Sequence, residues 1–217
     1  MYIIPALLET DVQQIAEKLS IIQADGHFKN IQLDIIDGEL LPTLTVTPYD
    51  LIDLSFGDLT LDFHLMTQDP LDYVWEIASQ AKKLPTRAIH GQVERLSDQK
   101  EFLQAVKNYG WQAGLALDLN TPLSSIDEQS WSYLDEILLL SVPMGQQGQE
   151  FQTSILTKIT ALKKQLTERA LPVKIIIDGG IKPAHLASLH QAQVDGLVVG
   201  SFLWSDDFTH QQKQLQI

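Results

Sequence analysis

Lys174-Ile175-Ile176-Ile177-Asp178-Gly179-Gly180-Ile181 is a β-branched run that stops at an acid and two glycines. Apolar residues without alternation read as a strand buried on both faces, as in a parallel sheet covered by helices. An acid followed by paired glycines marks a strand that ends at a polar rim, where the chain turns tightly. The same pattern occurs twice earlier. Ile31-Gln32-Leu33-Asp34-Ile35-Ile36 runs into Asp37-Gly38, and Leu59-Thr60-Leu61-Asp62-Phe63-His64 runs into Leu65-Met66. Three strands thus bring a carboxylate or an imidazole near their C-terminal ends.

Working outward, short apolar runs alternate with amphipathic stretches along the whole chain, which is the βαβ signature. Residues 2–6 read as a first strand. Thr10-Asp11-Val12-Gln13 resembles a capping box that opens a helix closed by Gly26. Residues 70–83 carry Leu71, Val74, Trp75 and Ala78 at helical spacing. Residues 87–90 form a fourth strand, and Ser97 is placed to cap a helix that Gly110 ends. Residues 112–117 and 136–142 follow as the fifth and sixth strands. A long helix over 154–169, the seventh strand ending at Asp178, a helix over 183–191 and an eighth strand over 195–201 complete the order. Eight strands alternating with helices fit a (β/α)8 TIM barrel, an α/β fold, better than an open doubly wound sheet. No linker or composition break divides the 217 residues, so one domain over 1–217 is expected.

Composition narrows the function. Hydrophobic residues make up 44% and charged residues 20% of the chain, enough for a packed core. A net charge of −13 argues against nucleic acid as a partner, since a polyanion needs a broad basic surface. It leaves room for one phosphate held by backbone N–H groups. Without cysteine there is no disulfide and no thiolate metal site. The start, Met1-Tyr2-Ile3-Ile4-Pro5, has no signal-peptide pattern, and no run reaches the ~18 apolar residues of a membrane span. A soluble cytoplasmic protein is expected.

In a barrel, polar residues at strand C-termini face one mouth. Asp34, His64 and Asp178 then surround one axis. Two carboxylates on opposite sides of a bound sugar could remove a proton from one face of a carbon and return one to the other. The enolate oxygen formed in between needs stabilisation, and one imidazole with two carboxylates suits zinc, manganese or ferrous iron. Taken singly, a strand-end Asp is more often a cap or turn former, and a lone His is more often packed or solvated. One capping role does not explain three such residues at matching ends. Asp37 reads as a turn residue before Gly38, Asp62 as pointing the other way, and His90 as a further residue able to line the mouth. Gly179-Gly180 after the seventh strand and Gly200-Ser201 after the eighth stand where barrels commonly bind phosphate, and Gly145 and Gly148 would add donors from the sixth loop.

These residues resemble the ribulose-phosphate 3-epimerase family. The resemblance is carried by Pro5-Ala6-Leu7-Leu8, Leu33-Asp34-Ile35-Ile36-Asp37-Gly38 with Pro42, and Asp62-Phe63-His64-Leu65-Met66. Gly114-Leu115-Ala116-Leu117 with Thr121-Pro122-Leu123, Ser141-Val142, Asp178-Gly179-Gly180 and Val199-Gly200-Ser201 continue it. It implies a TIM barrel, a pentulose 5-phosphate type of substrate, a divalent metal and a homo-oligomer. It also implies Asp34 and Asp178 as acid/base pair and metal ligands, with His64 a third ligand and Met66 capping the reacting plane. The departures lie at the site. Gln32 stands where the family has a histidine ligand and could serve only as a weak one through its carbonyl. Ala6 replaces a serine, and Ile36 and Leu140 replace two methionines. Pro143-Met144 replaces Asn-Pro, and Gln147 replaces a glycine. A barrel that binds a sugar phosphate without turnover is the alternative these changes favour. A lyase using the Asp pair is a third reading, but no lysine ends a predicted strand to form a Schiff base.

Overall fold

The computed structural model describes residues 1–145 and 148–215. Eight parallel strands close into a barrel in sequence order. They are β1 (Tyr2–Leu7), β2 (Asn30–Ile36), β3 (Thr60–Met66), β4 (Thr86–Gln92), β5 (Gln112–Leu117), β6 (Glu136–Leu140), β7 (Lys174–Asp178) and β8 (Gly196–Val199). β1 pairs with both β2 and β8, which closes the ring. The helices are α1 (Val12–Asp25), α2 (Pro70–Ser79), α3 (Gln99–Asn108), α4 (Ile155–Arg169), α5 (Pro183–Gln191) and α6 (Phe208–Gln214). Short 3-10 turns replace a helix after β2 and after β5. No helix among the described residues is long and apolar enough to cross a membrane.

Runs rich in apolar residues form most of these strands because both of their faces are covered. Outward residues such as Ile31, Leu33, Phe63, Ile175 and Ile177 pack under the helices in one continuous core. Inward residues on one side of the barrel are apolar and form a second cluster, Ile4, Ala6, Ala116, Leu138, Leu140, Ile176 and Val198. On β2, β3 and β4 the inward set is polar, and Gln32, Asp34, Asp62, His64, His90 and Gln92 are all buried. A barrel interior that is half hydrocarbon and half hydrogen-bonded side chains places the chemistry on those three strands and on the end of β7.

Several boundaries move from their expected places. Asp11 caps α1, accepting from the Gln13 N–H at 2.9 Å, and Thr10 does not. Asp98 caps α3 through the Glu101 N–H at 2.8 Å, one residue past Ser97. In both cases the carboxylate reaches the orphan amides of the first turn. α2 stops at Ser79, whose hydroxyl donates to Glu76 O at 2.7 Å, as the chain turns toward Pro85 and β4. β8 ends at Val199 because Gly200 already opens a turn that accepts from Leu203 N.

Asp62 also departs from its expected direction. Residues two apart on a strand share a face, so Asp62 points into the barrel with His64, one layer nearer the N-terminal end. A register shift between Leu61 and Asp62 against β4 skips Arg87 and turns its side chain inward. Arg87 Nε and Nη2 each donate to Asp62 at 2.6 Å, and Nη1 donates to Glu136 Oε1 at 2.7 Å. Asn30 Nδ2 adds a bond to Asp62 at 2.7 Å. His90 sits above them, 3.2 Å from Glu136 Oε2, so it is a buried barrel residue and does not line the mouth. The cavity it needs is supplied by Gly114 on β5, where a Cβ would lie 2.2 Å from His90 Cδ2.

Candidate active site

Strand register brings the chemistry together. Asp34 is paired with His64 across β2 and β3, and Asp178 ends β7 next to Leu140. Each carboxylate is held by its own strand end. The Thr45 hydroxyl donates to Asp34 O at 2.9 Å and accepts from Ile36 N at 2.9 Å, which fixes the end of β2. The Ser141 hydroxyl donates to Asp178 O at 2.9 Å and to Gly179 O, fixing the end of β7. Gly180 (φ +61) then carries the chain so close to the loop after β6 that a Cβ would sit 2.5 Å from Phe151 N. Any other residue would push these loops apart.

Asp34, His64 and Asp178 each offer a ligand atom, and these atoms all lie within 4.8 Å of one another. His64 Nδ1 is 3.2 Å from Asp34 Oδ1 and 3.9 Å from Asp178 Oδ2. Gln32 completes the cluster in a way its sequence position did not reveal. Its amide nitrogen donates to Asp34 Oδ1 at 2.8 Å and to Asp178 Oδ2 at 2.8 Å. The nitrogen, not the carbonyl oxygen, faces the site, so Gln32 stands as a bridging donor rather than as a weak ligand. Two acids and an imidazole converging on one point fit a divalent cation. The Gln32 amide, as oriented, does not fit as a fourth ligand.

The electrostatics follow from crowding. Burial pushes the Asp178 carboxyl up to about 7, and the nearby Asp34 carboxylate adds to the rise. His64, the Gln32 amide and the Gly179 N–H pull in the opposite direction without cancelling it.

Above this cluster lies a cleft lined by Asp34, His64 and Asp178 together with Met66, Gly145, Gly148, Gly179, Gly180, Gly200 and Ser201. Every residue expected from the sequence to touch substrate therefore borders one cavity. Ala6, Leu140 and Met144 line it too. None of the described residues lining it is a lysine or an arginine. An anion there would depend on backbone N–H groups and the Ser201 hydroxyl. Gln147, where the family has a glycine, lies outside the described residues.

Two residues were missed in the sequence. Gln92, at the end of β4, meets His64 Nε2 at 2.8 Å. Glu94 lies just beyond it and accepts from Asp118 N at 3.0 Å. The signal was parity, since Gln92 is two residues past His90 and so shares its inward face.

Comparisons with known proteins agree with this geometry. The model of the ribulose-phosphate 3 epimerase family matches residues 2–204. A ribulose-phosphate 3-epimerase from Synechocystis sp. is 30% identical over 203 residues, covering 93% of this chain and 86% of the relative. One from Escherichia coli is 29% identical, covering 93% and 88%. Among solved structures, a 3-hexulose-6-phosphate synthase superposes with a TM-score of 0.70 at 12% identity, covering 99% of this chain and 98% of that one. A mutant tryptophan synthase α-subunit from Pyrococcus furiosus superposes at 0.67 with 18% identity, covering 99% and 96%. At those identities the structures speak for the barrel alone.

Proposed function

The chain belongs to the ribulose-phosphate 3-epimerase family, and from that premise we propose that it interconverts two phosphorylated ketoses epimeric at the carbon beside the carbonyl. The substrate is of the ribulose 5-phosphate/xylulose 5-phosphate type. One observation carries the reading: carboxylates from β2 and β7 share one cleft with an imidazole, all within 4.8 Å. Asp34 and Asp178 serve as the two acid/base groups, one for each face of the reacting carbon. Such a pair works only when one member holds a proton and the other does not. In the metal-free site, burial and the Asp34 charge raise the Asp178 carboxyl toward about 7, which sets the two acids apart in proton affinity. When bound, a divalent cation held by Asp34, His64 and Asp178 would stabilise negative charge on the substrate oxygens.

Gln32 orients both acids, and its two donated bonds keep them from separating. Met66 and the apolar Leu140 and Met144 keep water from the reacting plane. Gly145, Gly148, Gly179, Gly180, Gly200 and Ser201 receive the phosphate through backbone and hydroxyl donors. One barrel domain spanning the chain and working in the cytoplasm, as a homo-oligomer, belongs to the same proposal. Purified protein given D-ribulose 5-phosphate and Zn2+ should form D-xylulose 5-phosphate, and Asp178→Asn should lose that turnover. Unchanged turnover in Asp178→Asn would sink the two-carboxylate scheme.

A second reading is a sugar-phosphate-binding barrel without catalysis. It is favoured by the Gln32 donor between the carboxylates and by a cleft without cationic side chains. Metal-dependent turnover would rule it out.

A further inference from the structure

Only one of the two ring nitrogens of His64 faces the carboxylates. Nδ1 lies 3.2 Å from Asp34 Oδ1, while Nε2 points away, 2.8 Å from the end of the Gln92 side chain. The position of the ring hydrogen decides what Nδ1 can do. With it, Nδ1 is a donor to Asp34. Without it, Nδ1 directs a lone pair at the carboxylate cluster, where a cation can accept it.

The surroundings of Gln92 settle the choice. Its side chain is fully buried, and the two ends of an amide are distinguished by their partners. One end lies 2.7 Å from Glu94 Oε2 and 3.2 Å from Ala116 O, both acceptors, so that end is the nitrogen. The other end is then the oxygen, 2.8 Å from His64 Nε2. An amide oxygen only accepts, so Nε2 carries the hydrogen and Nδ1 of the neutral ring is bare, while Asp34 Oδ1 still accepts from Gln32 Nε2 at 2.8 Å. The reverse orientation would set the oxygen against a carboxylate and a carbonyl, leaving buried groups unpaired. Glu94 is itself anchored, its other oxygen accepting from Asp118 N at 3.0 Å and from the Thr121 hydroxyl.

We propose that Gln92 is a positioning residue: held by Glu94 and the Ala116 carbonyl, it locks His64 as the Nε2–H tautomer and turns the Nδ1 lone pair toward the cleft between Asp34 and Asp178. It touches no substrate and acts through His64. The inference rests on the reading of His64 as a cation ligand, yet the tautomer can be read without any turnover.

The test is long-range 1H–15N correlation NMR of the metal-free, 15N-labelled protein at a pH where the ring is neutral, with His64→Gln used to assign the signals. The expected wild-type ring carries its hydrogen on Nε2. Gln92→Met keeps the length of the side chain but offers no carbonyl. Its ring should move to the Nδ1–H form, and Zn2+ affinity by calorimetry should fall roughly 10- to 100-fold. Gln92→Glu, protonated on the oxygen that faces Glu94, retains an acceptor oxygen for His64 and should keep the Nε2–H form, which a space-filling role would not distinguish from Gln92→Met. A wild-type ring with its hydrogen on Nδ1 overturns the proposal, even if Gln92→Met does not fold. Unchanged tautomer and affinity in a folded Gln92→Met protein would overturn it as well. An Nε2–H ring in a protein without epimerase turnover would sustain this inference and sink only the proposed function.

Discussion

Gln32 Nε2 lies 2.8 Å from Asp178 Oδ2, a hydrogen bond between β2 and β7 at the mouth of the barrel. The same nitrogen bonds Asp34 at 2.8 Å. A neutral donor thus relieves part of the repulsion between two acids that a bound cation would otherwise relieve.

Replacing that donor by a nitrogen ligand should show its effect directly. In Gln32→His the bridge is exchanged for an imidazole lone pair, and Zn2+ affinity should rise by roughly tenfold or more. Calorimetric titration of both proteins checks this, and an equal or weaker affinity would mean that position 32 does not reach the cation.

Cation binding should depend on pH with a definite sign. Burial and the Asp34 charge raise the Asp178 carboxyl toward about 7 in the metal-free site, and ligation requires its ionised form. The Asp178 contribution therefore makes affinity rise as pH increases toward about 7, with protons released on cation binding below that point. Titrations in buffers of different ionisation enthalpy count the protons.

At the opposite end of the barrel, Arg87 holds Asp62 and Glu136 together in a buried network. Arg87→Ala leaves buried Asp62 without its cation and Glu136 with Lys174 and His90 alone, and should cost about 3–5 kcal/mol in urea unfolding. Smaller losses would mean that water replaces the guanidinium.

Glu136 gives that network an acid limit. Despite burial, its bonds to His90 and Arg87 hold it at about 2, below its ordinary 4.5. A depressed carboxyl contributes stability that is present above pH 4.5 and lost as pH falls toward 2. Asp62, raised by burial, works in the opposite direction, its share being lost as pH rises. Glu136→Gln should therefore flatten the stability curve between pH 4.5 and 2, which urea midpoints across that range would show.

Gly114→Ala should destabilise by about 1–3 kcal/mol, because the new methyl meets His90 inside a packed barrel. An unchanged urea midpoint would mean that His90 has another rotamer available.

The barrel was legible because most of its strands are short apolar runs buried on both faces and alternate with amphipathic stretches, so pattern and length sufficed. Asp34, His64 and Asp178 were legible for a related reason, as each lies at the end of such a run or two residues before it. What remained hidden depends on partners distant in sequence. Gln32 reads as a poor carbonyl ligand until Asp178, far along the chain, is seen to take its amide hydrogen. Arg87 turns inward only through a bulge that no local pattern marks. Asp62 was misread although its parity with His64 fixed its face. The caps at Asp11 and Asp98 were each placed one residue early, since a hydroxyl and a carboxylate stand side by side and only reach decides between them.

The most direct test is proton NMR of D-ribulose 5-phosphate in D2O with purified protein and Zn2+, following the proton on C3, with Asp34→Asn and Asp178→Asn as comparisons. The account predicts that the C3 signal disappears as deuterium enters and xylulose 5-phosphate forms, and that both variants lose this. A C3 proton that persists with the wild-type protein would contradict it.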